Sequence, residues 1–576
     1  MNQVPAKDFI IPGTSEIIFQ NERLSFEDLN DCIRMISHAL LCEKNCNPVG
    51  IFLDRSPVQI LAAIAALQIN VPYVYLDPAY PEERINYILE DCQVDLIITE
   101  EKYCNRCSGQ KMIVIENLAE YSEKKETNEA ISSEIGFILY TSGSTGVPKG
   151  VEIYRKSLLN FIDGMSEIIN FSRGKAIASF TVATFDIFFL ESVLSICKGL
   201  TVILANENEQ KNPRLMANLI KSSKPDMLQF TPSRLLFLYK YDPDLLCLRH
   251  VSEILVGGEK FPLNLLQELQ RKTNAKIYNM YGPTETTIWS TVSDLTNSDH
   301  IHIGTPIKNT AIYILDENLK EVGAGDIGEI CISGNGLARG YIHKDEQTAR
   351  AFVNLNGNTR IYRTGDRGRY VENGNIEFLG RRDHQVKVRG HRIELEEIEI
   401  AMCSFENINQ AVVICLNQQE ESHLVGLYQC QKEIDENDFI NDLQLRLPQY
   451  MIPGRMLKVL DFPHTSNGKI DRKEIVNNFK TNAISSVIKS TSDNTFENKI
   501  LDVFRNIMGE NKNNELNLHS RLLDLGIDSI TFVSIIVAFE AEFDMEFEDE
   551  KLVFKAFNTI EEIADYLKHR LSIMPV

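Results

Sequence analysis

The stretch YTSGSTGVPKG, from Tyr140 to Gly150, directly follows the apolar run Ile135–Leu139 and constrains this chain more than any other feature. A short apolar run that ends in a glycine- and hydroxyl-rich loop reads as a strand delivering backbone amides to one point. Thr141, Ser142, Ser144 and Thr145 supply hydroxyls, Gly143, Gly146 and Gly150 permit close approach, and Lys149 adds a positive charge. Those groups make a phosphate cradle. A Walker A loop would need glycine where Pro148 stands, so an ordinary P-loop NTPase is disfavoured.

Around this loop, from about Leu24 to Ile376, β-rich apolar runs (Ile135–Tyr140, Thr201–Ala205, Ile254–Val256) alternate with helical patterns (Pro213–Lys221, Leu263–Lys272). Such alternation predicts an α/β body with largely parallel sheets. After Gly380 the sequence turns abruptly charged, and a short α+β pattern runs on to about Lys480. Asn477 to Thr495, rich in Asn, Ser, Thr and Lys, reads as a linker. Beyond it lies a helical module. The expected boundaries are 1–380 for a large lobe, 381–478 for a small one, 479–494 for the linker and 495–576 for the last module.

A net charge of −22 repels a polyphosphate backbone and argues against nucleic-acid binding. The apolar stretch Ile530–Phe539 is interrupted by Thr531 and Ser534 and falls short of the roughly 20 residues of a membrane span. No secretion signal is evident at Met1–Thr14, so a cytoplasmic location is expected. Twelve cysteines are too sparse for a disulfide scaffold, and Cys104–Cys107 has no second CxxC or His pair at zinc-ligand spacing.

TSGSTGVPKG, NMYGPTETT (Asn279–Thr287), YRTGD (Tyr362–Asp366), GRRD (Gly380–Asp383) and NGK (Asn467–Lys469) occur in the order and spacing of the adenylate-forming superfamily. LDPAYPEER, GEICISGNGLARGY, QVKVRGHRIELEEIE and LPQYMIP more closely resemble the adenylation domains of nonribosomal peptide synthetases. The resemblance covers about Leu24 to Lys473. It implies a large α/β lobe and a small α+β lobe acting on ATP with Mg²⁺. Tyr281 would stack on adenine, Thr284 donate to the α-phosphate, Glu285 hold Mg²⁺, Asp366 take the ribose hydroxyls and Arg381 lie near ribose and phosphate. Asn279 and Gly282 fall in the same motifs and, with Gly258, join the expected ATP site. Lys469 would reach in from the small lobe, lie between carboxylate and phosphate, and stabilise charge building on the equatorial oxygens. Asp383 matches the hinge about which that lobe turns between half-reactions, after which QVKVRG would face the incoming thiol.

Asp186 in TFDIFFLES matches the carboxylate that pairs with a substrate α-ammonium. Carried over motif by motif, the side-chain space would be bounded by Ile187, Leu190, Gln229, Leu255, Gly257, Met280, Ile288 and Trp289, the chain's only tryptophan. Bulky walls leave little room. The set resembles the signature of glycine-activating domains, with alanine the nearest competitor, to be rejected by steric clash. Several of these residues would also suit plain core packing.

LLDLGIDSI, Leu522 to Ile530, resembles the carrier motif whose serine bears 4′-phosphopantetheine, here Ser529. A serine at a helix N-terminus places a phosphodiester among free N–H groups. GIDS departs from the GGHS or GGDS of many peptidyl carriers and stands closer to acyl carriers. The following helix is apolar on two stripes, Ile530, Val533 and Val537 on one and Ile536, Phe539 and Phe543 on the other; one would pack and the other could dock partners. The module should be an all-α four-helix carrier.

The reading is an adenylation–carrier didomain that activates an amino acid, glycine first, and transfers it to the carrier as a thioester. It implies a phosphopantetheinyl transferase, downstream condensation or tailoring enzymes, no membrane partner, and a monomer. The alternatives are an acid:CoA ligase, against which Asp186 and the fused carrier speak, and a non-catalytic carrier scaffold, which would have no need of Lys149, Glu285, Asp366 and Lys469.

Overall fold

In the computed structural model, residues 8–573 are described apart from 44–46, 108, 124–132, 144–145, 383–384, 389, 419–420, 431, 433, 460–461, 464–469, 483–495, 509–515, 523–524, 526, 528, 544, 546, 549–550 and 552–555. The apolar run before the glycine loop becomes the strand Ile135–Thr141, and Lys149–Tyr154 returns antiparallel beside it. The pair belongs to a seven-stranded sheet ordered Gly340–Tyr341, Lys149–Tyr154, Ile135–Thr141, Tyr73–Tyr75, Val49–Phe52, Leu96–Thr99 and Lys111–Val114. The strands from Tyr73 to Val114 pair in parallel with their neighbours, as the alternating pattern predicts.

A nine-stranded sheet carries the rest of the body. Its middle, Lys276–Tyr281, Glu253–Gly257, Met227–Phe230, Ala176–Ser179 and Thr201–Leu204, is parallel throughout. These strands are buried apolar runs, and the expected helices cover them as Pro213–Ser223 and Leu263–Lys272. Helix Pro57–Gln68 is nearly all apolar and almost wholly buried; a helix without a polar face has no stable place at the surface. A five-stranded antiparallel sheet follows, built on the long strand Thr359–Tyr370, which pairs with Gly328–Gly334, Phe352–Leu355 and Ile376–Arg381.

Two compact units result, one running to Glu394 with Leu445–Pro448, the other comprising Leu395–Gln444 and Gln449 onward. The stretch from Arg381 to Glu394, expected with the small lobe, thus packs in the first unit. Its hydrogen bonds to the glycine loop are the reason.

In the second unit, helix Leu395–Cys403 lies against the hairpin Ile408–Gln418 and Glu421–Cys430, to which Arg455–Lys458 adds in parallel. Helix Arg472–Asn482 runs into the stretch expected as linker. Just before that stretch Ile475 is buried and Val476 packs with it against Val412, Ile414, Val425 and Leu427, so tertiary packing anchors the helix that continues into it. The remainder, 483–495, lies outside the described residues. Three helices of the last module are described, Phe496–Met508, Ser529–Phe543 and Ile560–Ile573, with the Phe504 and Phe539 rings 5.7 Å apart in its core. Phe532, Ile535, Ile536 and Phe539 are buried, while Val537 and Phe543 are half-buried. The side chains of Ile530 and Val533 are outside the described residues.

Candidate active site

The glycine loop closes on itself because residue 143 has no side chain: a Cβ there would sit 2.0 Å from the Val147 carbonyl oxygen. Gly146, with φ 78°, supplies the left-handed turn that no β-branched residue would take cheaply. Thr141 ends the strand with a buried hydroxyl that has no hydrogen-bond partner among the described residues. Such an orphan is costly unless a ligand satisfies it. Ser144 and Thr145 lie outside the described residues. Ser142 is buried; its hydroxyl donates to the Arg392 carbonyl at 2.7 Å and accepts from the Glu394 amide at 3.1 Å.

Lys149 and Glu285 meet in a desolvated cluster. Glu285, fully buried in the short turn Thr284–Thr286, accepts from the Tyr341 hydroxyl at 2.7 Å and from Nη1 of Arg392 at 3.0 and 2.7 Å, with Lys149 Nζ 3.7 Å away. Burial by itself would raise this carboxyl, but Arg392 and Lys149 outweigh it and hold it down at about 2. Burial, aided by the like charge of Arg392, brings Lys149 down to about 8. Its ammonium also sits over the Tyr341 ring, 4.4 Å from the centroid.

Tyr281 and Asp366 come together from two sheets. The tyrosine hydroxyl donates to Oδ2 of Asp366 at 2.6 Å, and Arg381 Nη1 donates to Oδ1 at 2.8 Å. Asn279, one strand position before Met280, donates from its side chain to the His302 carbonyl at 2.9 Å.

The residues expected around a substrate side chain converge at the carboxyl ends of parallel strands, where α/β sheets usually present their ligands. Gln229 pairs in register with Leu255, and Gly257 with Met280. Ile187, Leu190, Leu255, Met280, Ile288 and Trp289 all belong to one buried cluster. A Cβ on Gly257 would meet Trp289 Cη2 and the Met280 carbonyl oxygen at 2.7 Å each, so the indole packs directly on bare backbone. The Trp289 Nε1 and Gln229 Oε1 atoms are buried and have no partner among the described residues.

Trp289 is aimed by an unusual backbone. Thr287 and Ile288 are both left-handed, with φ 64° and 69°, a conformation that is an outlier for β-branched residues. Gly282 makes room for it: a Cβ there would stand 2.4 Å from the Ile288 carbonyl oxygen. Gly258, at φ 90°, turns the chain at the end of its strand.

Asp186 is buried at the start of the turn Ile187–Phe189 and accepts from the Thr284 hydroxyl at 2.7 Å. Burial pushes its carboxyl up to about 6, with Thr284 working the other way. Lys469 and Asp383 lie outside the described residues, as does the side chain of Ser529, whose backbone opens the helix Ser529–Phe543. Just after Lys469, Arg472 is anchored by Glu399 at 2.6 Å and the Val413 carbonyl at 2.8 Å.

Sequence reasoning missed Tyr341 and Arg392 as members of the charged cluster. Both stood inside quoted motifs, yet neither motif says which carboxylate its polar residue meets. Among the described residues no group of three or more His, Cys, Asp or Glu could hold a metal. A Mg²⁺ that arrives with phosphates needs only one or two carboxylates, and ionised Glu285 is a suitable hard oxygen donor.

Residues 11–342 match the family model "AMP-binding enzyme", and residues 498–567 match "Phosphopantetheine attachment site". Zwittermicin A synthase ZmaJ of Bacillus cereus is 34% identical over 482 residues, which cover 80% of this chain and 91% of that protein. Bacitracin synthase 3 of Bacillus licheniformis is 32% identical over 538 residues, 91% of this chain, and tyrocidine synthase 2 of Brevibacillus parabrevis is 32% identical over 97% of it. The chain spans only 8% and 16% of the length of those two relatives. A solved nonribosomal peptide synthetase protein with adenylation and PCP domains, in its holo form with a vinylsulfonamide inhibitor, shares the fold with a TM-score of 0.81 at 22% identity, covering 96% of this chain and 93% of that one. A four-domain nonribosomal peptide synthetase bound to AMP and glycine aligns with a TM-score of 0.58 at 27% identity over 96% of this chain and 41% of that one. The chain belongs to the AMP-binding enzyme family of ATP-using, adenylate-forming ligases and carries a phosphopantetheine attachment domain at its C-terminal side. No helix among the described residues is long and apolar enough to cross a membrane.

Proposed function

We propose that the chain activates a small amino acid, glycine first, as its adenylate and loads it onto its own carrier domain, as one loading step of nonribosomal peptide assembly. The observations that carry the substrate reading are the packing of Trp289 directly on Gly257, a bulky wall, and the burial of Asp186, a carboxylate suited to an ammonium. The solved relative that holds AMP and glycine supports the same reading. Alanine remains the nearest competitor, separable by about 1–3 kcal/mol through one methyl group.

In this reading the glycine loop, Thr141 and Lys149 hold the phosphates, Thr284 and Glu285 hold the α-phosphate and Mg²⁺, and Asp366, positioned by Tyr281 and Arg381, takes the ribose hydroxyls. Lys469 neutralises the oxygens shared by carboxylate and phosphate, and Asp383 serves as the hinge. Asp186 fixes the ammonium, so the substrate carboxylate is presented to the α-phosphate in one orientation. The pantetheine arm on Ser529 supplies the thiol that receives the aminoacyl group. Placement of that arm requires a phosphopantetheinyl transferase, and its product requires a condensing or tailoring partner. A cytoplasmic, monomeric protein fits these roles.

The test is amino-acid-dependent ATP–pyrophosphate exchange with all twenty amino acids, on the wild type and Lys469→Ala. A glycine-selective signal that the variant loses supports the assignment. Selectivity for a bulky amino acid overturns the pocket reading, and silence throughout favours a carrier scaffold.

A further inference from the structure

One hydroxyl links the two halves of the site. Thr284 opens the turn Thr284–Thr286 and is buried, and its Oγ1 donates to Oδ2 of Asp186 at 2.7 Å, across 98 positions of chain. Among the described residues it is the one side chain that hydrogen-bonds Asp186. Glu285, the next residue of the same turn, sends its carboxylate instead to Lys149 and Arg392. One short turn thus places a side chain on Asp186 and its neighbour among the phosphate-binding charges. The main chain there is pinned, with the Thr286 amide donating to the Pro283 carbonyl at 2.9 Å and the Thr287 amide to the Thr284 carbonyl at 3.0 Å. A change of partner at Thr284 is therefore a side-chain rotation that leaves the backbone in place.

A hydroxyl has a single hydrogen to donate. That of Thr284 is committed to Asp186, so a phosphate oxygen can have it only by taking it from a buried carboxylate. Stripping a donor from a desolvated carboxylate is costly. An ammonium removes that cost, because it brings three donors and a full opposite charge, and the threonine hydrogen is no longer needed there. A carboxylic acid without an amine brings neither.

We propose that the Thr284 hydroxyl couples the two substrates, donating to Asp186 until an ammonium arrives and to the α-phosphate afterwards. The nucleotide is then held tightly only beside an acid that carries an amine, which discriminates against plain acids at the nucleotide step as well as in the amino-acid pocket. Linkage makes the effect reciprocal: the factor by which the amino acid tightens the nucleotide is the factor by which the nucleotide tightens the amino acid. The proposal rests on the reading of Asp186 as the partner of the ammonium and of Thr284 as a donor to the α-phosphate.

The test is calorimetry on the full chain, with AMP as the probe that has the α-phosphate, adenosine as the probe that lacks it, and glycine or acetate as the second ligand. In the wild type, glycine should tighten AMP by about tenfold and acetate by less than about twofold, and neither should change adenosine. Attraction through space between ammonium and phosphate would give the same wild-type pattern, so the variants decide. Thr284→Val and Thr284→Ala, which lack the hydroxyl, should bind adenosine as the wild type does and lose the tightening of AMP. Thr284→Ser should restore it. Tightening that persists without the hydroxyl overturns the proposal, as does an equal tightening of adenosine. Asp186→Asn separates this coupling from the reading beneath it. If glycine fails to bind the wild type with or without AMP, or binds Asp186→Asn equally well, the ammonium is not on Asp186 and the proposal falls with that reading. If glycine binding needs Asp186 while AMP is not tightened, the ammonium reading stands and only the coupling is refuted.

Discussion

Tyr281 and Asp366, from different sheets, share a 2.6 Å hydrogen bond in which the phenol donates to a carboxylate that Arg381 holds from its other side. The bond leaves the carboxylate one fixed orientation. A hydrogen bond to a charged group contributes about 1.5–3 kcal/mol. Tyr281→Phe should therefore raise the KM for ATP by roughly tenfold to a hundredfold. The KM for the amino acid should hardly change. Pyrophosphate-exchange kinetics with each substrate varied in turn will check both.

In its proposed role on the substrate ammonium, Asp186 should give the reaction an acid limb. Its carboxyl, raised to about 6 by burial, must be ionised to pair with an ammonium. Acidification below 6 protonates it, so kcat/KM for the amino acid should fall about tenfold per pH unit there. The stability effect has the opposite sign. Because the folded value lies above the unfolded one, the ionised form costs stability above about pH 6, and the cost disappears as the pH falls through the folded value toward the unfolded one. Asp186→Asn should accordingly lose the acid limb and most activity while melting higher than the wild type at pH 7.5 but not at pH 4. A melting series at the two pH values will show it.

In its proposed role on the phosphates, Lys149 should give the alkaline limb. Burial and Arg392 bring it down to about 8, so its charge is lost above that pH. The KM for ATP should rise above pH 8, and Lys149→Arg, which stays charged, should flatten the rise even where its longer side chain lowers the overall rate. Initial rates between pH 7 and pH 9.5 decide it.

In the proposed pocket Gly257 and Trp289 limit the size of the substrate. Gly257→Ala forces a methyl into the indole and should destabilise the chain by about 1–3 kcal/mol. Trp289→Ala removes the wall at a cost of about 3–5 kcal/mol and should admit larger amino acids to exchange. Thermal melts and the twenty-amino-acid exchange profile test the two variants together.

The parts of the site that rest on local sequence were legible. A strand followed by TSGSTG predicts its own geometry, and the apolar runs ending in Gln229, Gly257 and Met280 lie side by side as parallel strands should. What stayed hidden depends on contacts distant in sequence. Arg392 meets Glu285 across 107 positions and Tyr341 meets it across 56, and no pattern within either motif specifies a partner so far away. The end of helix Arg472–Asn482 was obscured for a related reason: from Asn477 its polar composition reads as linker, but the helix starts earlier, where Ile475 and Val476 find apolar surface on the neighbouring sheet. Tertiary packing decided that element.

The left-handed pair Thr287 and Ile288 directs the tryptophan through the main chain, and the bare backbone at Gly257 receives its indole. A side chain mounted in this way is a replaceable fitting in a fixed socket. In the proposed pocket, exchanging it would change the space offered to a substrate, while the strand ends, Asp186 and the glycine loop belong to other elements. Selection can thus retune which building block is taken without disturbing the machinery that activates it.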